Sequence, residues 1–152
     1  MLRLLRTSSD NADFQALVRL LDQDLALRDG AEHVFYAQYN TLSQINHAVV
    51  AYLYGEPVGC GAMKEFEAES MEIKRMFVQP AHRGQGVAQA VLAELECWAH
   101  ELNYRACALE TGKKQPEAIR LYHKCGYAAT PNYGQYIGIE NSVCMRKELR
   151  QP

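Results

Sequence analysis

The chain has 152 residues, 48% of them apolar and 22% charged, with a formal net charge of -2. That balance suits one ordinary globular domain with enough chain for a real core, so a single domain over residues 1–152 is expected. The charge gives no bulk attraction for nucleic acid or anionic lipid, and no apolar run reaches bilayer length, so neither partner is expected.

The first residues, MLRLLRTSSD, hold too short an apolar core for a secretory signal and read as an edge strand over 2–7. The five cysteines, Cys60, Cys97, Cys107, Cys125 and Cys144, are scattered, odd in number and without a C-x-x-C pair. They predict reduced cytoplasmic thiols, with no disulfide framework and no metal site.

Asp10 is a candidate cap for a helix carrying Phe14, Leu17, Val18, Leu21 and Leu25 at helical spacing, with Gly30 as its stop. HVFYAQYNTLSQIN then suggests a short helix and loop. His47 to Tyr54 is β-branched and aromatic, hence a strand. Gly55-Glu56 is a plausible two-residue hairpin turn with glycine first, returning as a strand from Pro57 to Phe66 in which Gly59 and Gly61 mark a weak point or a bulge. An acidic loop, Glu67 to Ser70, leads into a third strand, MEIKRMFV.

In that strand Met76 and Val78 share a face, but Ile73 is out of phase by one. A β-bulge near Lys74-Arg75 repairs the parity and frees backbone groups for an extended ligand. The alternative is that Phe77, not Met76, faces inward with Ile73.

Val87, Val91, Leu92, Leu95, Trp98, Ala99 and Leu102 form one helical stripe. Ala106 to Thr111 reads as a short buried strand. Pro116 suits the first position of a helix with Ala118, Ile119, Leu121, Tyr122 and Cys125, which Gly126 can end. An extended aromatic stretch from Tyr127, broken by Pro131 and Gly134, precedes a last strand from Ser142 to Leu149. The order is β-α-α-β-β-β-α-β-α-β-β, a mixed α/β sheet.

Between the third strand and the long helix lies Gln79-Pro80-Ala81-His82-Arg83-Gly84-Gln85-Gly86. A helix starting there offers unpaired N–H groups and a positive dipole end, glycines let a phosphate approach the backbone, and Arg83 adds a planar cation. The chemistry is anion capture, most naturally of a pyrophosphate; a plain tight turn is the alternative for the glycine pair alone. The spacing is not G-x-x-x-x-G-K-S/T, and Gln89 stands where a dinucleotide fingerprint needs its third glycine, so neither of those phosphate loops fits.

Two motifs together resemble the GNAT superfamily of N-acetyltransferases. Arg83, Gly86 and Ala88 match R/Q-x-x-G-x-G/A. Ala118, Leu121, Tyr122 and Gly126 match the helix N-x-x-A-x-x-L-Y-x-x-x-G-F, with Gln115 for the usual Asn and Tyr127 for the usual Phe. The resemblance implies a single-domain fold with a mostly antiparallel central sheet and splayed fourth and fifth strands. It implies acetyl-CoA as co-substrate, pantetheine against Met76, Phe77 and Val78, and pyrophosphate on Arg83, Gly84, Gln85, Gly86, Val87 and Ala88, with Gln115 counted among the cofactor residues. Lys113 and Lys114 are either outer-phosphate contacts or a solvated pair.

The implied activity is acetyl transfer by direct attack of a primary amine of a small molecule, amino acid or peptide. The family's tyrosine position makes Tyr122 the candidate general acid; otherwise it is a core tyrosine. Glu72 aligns with the base glutamate of members that have one, with Glu69 and Glu110 as alternatives, and the backbone N–H of Met76 or Phe77 is the implied donor to the thioester carbonyl. The acceptor site is expected from the less family-like parts: Tyr36, Tyr39 and Asn40, then Tyr133, Gly134, Gln135 and Tyr136. Competing readings are a non-catalytic acyl-CoA sensor, a toxin that acetylates charged tRNA and, with the resemblance set aside, an α/β domain binding some other phosphate ligand; the mild acidity speaks against the toxin. Homodimerisation through the last strands is an expectation from the family.

Overall fold

A computed structural model describes residues 1–29 and 45–149. Tyr36, Tyr39 and Asn40, and the stop expected at Gly30, lie outside the described residues. Among the described residues, no helix is long and apolar enough to cross a membrane.

The elements are β1 (Leu2–Thr7), α1 (Ala12–Asp29), β2 (His47–Leu53), β3 (Glu56–Glu67), β4 (Ser70–Val78), α2 (Val87–Glu101), β5 (Ala106–Gly112), α3 (Pro116–Lys124), β6 (Ala128–Thr130) and β7 (Ser142–Glu148). The strands form one seven-stranded sheet in the order β1-β2-β3-β4-β5-β7-β6. Every neighbouring pair is antiparallel except β4 with β5.

Alternation along β2 assigns the two faces. Ala48, Val50 and Tyr52 pack with Phe14, Leu17, Val18 and Leu21 of α1. Val49 and Ala51 pack with Val87, Val91, Leu92 and Leu95 of α2, and Tyr122 of α3 joins that second core. Gly59 and Gly61 of β3 permit this approach. A Cβ on Gly59 would lie 2.8 Å from Val87, and one on Gly61 would lie 2.5 Å from the Met76 sulfur and 2.9 Å from Val91.

Two local expectations shift by one residue. The helix cap is Asn11, whose Oδ1 accepts from the Phe14 N–H at 2.9 Å, and not Asp10. The hairpin turn is Tyr54-Gly55, with φ of 51° and 82°, and Leu53 pairs with Glu56. Positive φ at both turn residues is the type I′ form, whose twist matches the flanking strands.

The bulge in β4 is present. Cys60 pairs with Phe77 and Ala62 with Lys74, so Gly61 alone faces both Arg75 and Met76. Arg75 takes φ 61°, a left-handed conformation uncommon for a residue with a side chain. The extra residue restores parity: Met71, Ile73, Met76 and Val78 belong to the α2 side, while Phe77 joins the α1 side.

The bulge coincides with the opening of the sheet. β4 and β5 pair only from Ser70↔Ala106 to Ile73↔Leu109. Among the described residues, β4 continues beyond Ile73 to Val78 without a partner on that side, while Glu110, Thr111 and Gly112 of β5 pair with β7 alone. The gap lets groups from both faces meet.

Candidate active site

Two cavities lie at this opening. The larger, 460 Å³, runs along Met76, Phe77 and Val78, under the turn from Arg83 to Ala88, to Gln115, Ala118 and Tyr122 of the α3 region. The smaller, 120 Å³, lies between the end of α1 and the splayed strands, lined by Glu72, Lys74, Arg75, Glu110 and Tyr136. Met76, Gln115, Ala118, Tyr122 and Leu21 line both cavities, so they meet.

One wall of the larger cavity, at the start of α2, has features that suit an anion. Helix α2 begins at Gly86, with φ 83° and no side-chain hydrogen bond capping the first turn. The N–H groups at that end therefore face outward with the dipole behind them. Gly84 has φ 78°, and a Cβ added there would have no atom within 4 Å. A β-carbon on Gly86 would come no nearer than 4.0 Å, to the Gln89 side chain, so these glycines serve backbone conformation and ligand access, not internal packing. Arg83 lies against the cavity with its Nε donating to the Val78 carbonyl at 2.9 Å and its guanidinium 5.6 Å from the Phe77 ring centroid. It thus braces the end of β4 as well as lining the groove.

Tyr122 sits at the junction, buried to 7% exposure. Burial, with the nearby Cys125 and Glu110, pushes its hydroxyl well above the usual phenol range. It is a neutral donor throughout the physiological range. Gln115 stands at the start of α3 ahead of Pro116, its N–H bonded to the Gly112 carbonyl at 2.9 Å. Lys113 and Lys114 line neither cavity.

The smaller cavity is lined by charged side chains. Glu72 is only 4% exposed. Its Oε2 accepts from the Tyr133 hydroxyl at 2.8 Å, and its Oε1 lies 3.6 Å from the Lys74 ammonium. Burial and the Glu72 charge push the Tyr133 phenol far up, so it holds its proton and keeps donating. Tyr133 stands behind Glu72 and does not line the cavity, whereas Tyr136, 3% exposed, does. Gly134 and Gln135 belong to the short 3-10 turn that carries Tyr136. Of the three carboxylates weighed from sequence, Glu72 and Glu110 reach the cavity. Glu69 instead pairs with Arg105 at 3.5 Å on the surface, both side chains more than half exposed.

The residues missed from sequence are Arg75 and Asp22, joined by a 2.8 Å ion pair across the cavity's α1 side, and Lys74. Two adjacent cations in a mostly buried strand were the available signal; the partner, on a helix 53 positions away, gave none.

The chain is 36% identical over 135 residues to an IAA acetyltransferase of Azospirillum brasilense, covering 88% of each protein. Its fold superposes with a TM-score of 0.82 on a Klebsiella pneumoniae protein assigned as an acyl-CoA N-acyltransferase, at 32% identity and 99% coverage of both chains. A GNAT acetyltransferase from Elizabethkingia anophelis, solved with acetyl-CoA bound, shares the fold at 20% identity, with a TM-score of 0.71 over 97% of this chain and 98% of that one. The model of the acetyltransferase (GNAT) family matches residues 14–127, and with the splayed β4 and β5 and the open glycine turn the chain belongs to that family.

Proposed function

We propose that residues 1–152 work as one N-acetyltransferase domain that moves acetyl from acetyl-CoA to a primary amine of a small molecule, amino acid or peptide. The observation that carries this reading is the shared wall: a long groove suited to an anionic cofactor and a small charged cavity meet at Met76 and Tyr122. GNAT acetyltransferases use acetyl-CoA. The residues here fit it: an uncapped helix end with open glycines for the pyrophosphate, and a strand edge without a neighbour, from Lys74 to Val78, for the extended arm. When bound, acetyl-CoA supplies an activated acetyl thioester.

The chain's own groups have three tasks. The helix end of α2 and the turn before it hold the anionic end in place. Glu72, braced by Tyr133 and Lys74, takes a proton from the incoming amine, directly or through one water. Tyr122, at the junction of the two cavities, would donate its retained O–H to the leaving sulfur. A thiol has a pKa of ~8.5, below that of any tyrosine, so full transfer from Tyr122 is uphill. Its help is therefore chiefly a hydrogen bond to developing negative charge. Of the described cysteines none lines the junction, in keeping with direct attack and no acyl-enzyme.

The test is a panel of amines with acetyl-CoA, read by thiol release. Tyr122→Phe is expected to lower kcat about tenfold to a hundredfold, the low end of general-acid effects, because a thiolate leaves readily. Acetyl-CoA affinity is expected to stay within a few-fold of wild type. Unchanged kcat at saturating substrates would return Tyr122 to the core, and no thiol release with any amine would remove the activity.

A further inference from the structure

This inference rests on reading the 120 Å³ cavity as the acceptor pocket. We propose that the pocket takes an amine that also carries a carboxylate, an amino-acid-like acceptor whose carboxylate Arg75 holds.

Arg75 lines the cavity, and its side chain is 3% exposed. One nitrogen, Nη1, donates to Asp22 Oδ1 at 2.8 Å, and that aspartate is 44% exposed. The buried cation thus leans on a partner half in water, a weak form of neutralisation. The Nε–H is sealed from solvent and has no hydrogen-bond partner. A buried, unanswered N–H on a charged group is costly, and native proteins seldom keep one without a use. Nε and Nη2 lie on one edge of the guanidinium with two parallel N–H bonds, the spacing of the two oxygens of a planar carboxylate; Nε is covered here, so a carboxylate reaches that edge as the side chain turns toward the cavity it lines. Asp22 occupies the other end of the fork. The backbone points the same way: Arg75 is the bulged residue and holds a positive φ of 61°, the kind of local strain that persists where the surroundings over-determine it.

The rest of the wall has the opposite sign. Glu72 and Glu110 line the same cavity with the Tyr136 hydroxyl, and Lys74 lies 3.6 Å from Glu72. One side therefore suits an ammonium group awaiting deprotonation, the other a carboxylate. A plain alkylamine would satisfy only the acidic side. The pocket's small volume suits an acceptor of amino-acid size.

The test uses CoA-loaded protein and equilibrium calorimetry, with the twenty amino acids, each beside its carboxamide and its decarboxylated amine, and with taurine beside β-alanine. At least one amino acid is expected to bind about tenfold to a hundredfold more tightly than its carboxamide and amine, the effect of one charge-assisted pair. Arg75→Gln is expected to erase that preference, and Arg75→Lys, which keeps the charge but loses the two-pronged edge, to lose most of it. Asp22→Asn breaks the same ion pair yet leaves the guanidinium, and is expected to retain the preference. Thermal unfolding confirms that each variant is folded.

The proposal is overturned if carboxamides bind as well as acids, if no amino acid binds, if folded Arg75→Gln keeps the preference, or if Asp22→Asn loses it. Taurine equal to β-alanine would overturn the choice of a planar carboxylate over a tetrahedral anion. An amino acid that binds with the predicted preference but releases no thiol from acetyl-CoA would sink the acetyl-transfer reading while supporting the carboxylate site.

Discussion

The long groove and the small charged cavity share a wall but are built by opposite means. The groove's anion end is local: a strand end, a turn and a helix start contiguous from Met76 to Ala88, with two glycines at positive φ and no side chain answering the helix N-terminus. The pocket is assembled from distant pieces, with Asp22 meeting Arg75 across 53 positions and Tyr133 meeting Glu72 across 61. A site made of backbone N–H groups depends on chain conformation and tolerates many side chains beside it. A site made of buried charges depends on the identity of the side chains that line it.

The largest expected effect would break the groove alone. Gly86→Asp sets a carboxylate where the phosphate is to sit and strains a residue at φ 83°, while its Cβ has room. Juxtaposed like charges cost several kcal/mol, so acetyl-CoA should bind about a hundredfold more weakly or not at all, with a thermal midpoint only slightly lowered. Calorimetry showing wild-type affinity would detach the glycine turn from cofactor binding.

A smaller effect sharpens the pocket side. Glu72→Gln should reduce kcat/KM about tenfold near neutrality and flatten its rise with pH, more for a lysine-like amine than for an α-amine, since the first carries its proton to higher pH. Acetyl-CoA affinity should not move. Glu110→Gln is the matched control: a profile flattened there, with Glu72→Gln overlaying wild type, would transfer the base role to Glu110.

How much was legible follows the same division. The bulge could be found from parity, because a single odd step in MEIKRMFV has few other repairs, and the glycine turn from helix-end chemistry. Tyr122 and Glu72 were singled out only through family resemblance: a tyrosine on an amphipathic helix and a glutamate on a strand look like packing and solvated charge. Arg75 escaped because nothing local marks the meeting of α1 with β4. The hairpin slipped by one residue because glycine serves both primed turn types, and Tyr54 is a poor advertisement for positive φ. The cap slipped because Asp10 and Asn11 are adjacent and chemically equivalent for that task.

The last effect is confined to high pH. Burial raises the phenols of Tyr122, Tyr127, Tyr133 and Tyr136, and pushes the thiols of Cys60 and Cys107 up to about 12 and Cys144 to about 11. In the unfolded chain these groups ionise at ~8.5 for cysteine and ~10 for tyrosine. The native state then holds more protons than the unfolded one, so this stability is complete below about pH 8.5 and declines above it, more steeply past about pH 10. Urea unfolding from pH 8 to 11 should show that fall, with a shallower slope for Tyr133→Phe because one buried phenol is gone. Acetyl-CoA affinity of that variant at pH 8 should match wild type; a loss there would mean that the pocket and the groove are less separable than their construction suggests.

The bulge in β4 has a consequence for how such a protein can diverge. Arg75 serves one cavity and Met76, the next residue, lies on the wall where both meet. Substitution at Arg75 or Lys74 can retune what the acceptor pocket prefers without touching the groove. Deletion of one residue there would straighten the strand and invert Met76, Phe77 and Val78, sending apolar side chains out of one core and Phe77 out of the other. If the small cavity is the acceptor site as proposed, its preference is open to gradual exploration by point mutation, while the length of the strand between Ile73 and Val78 is closed to insertion and deletion.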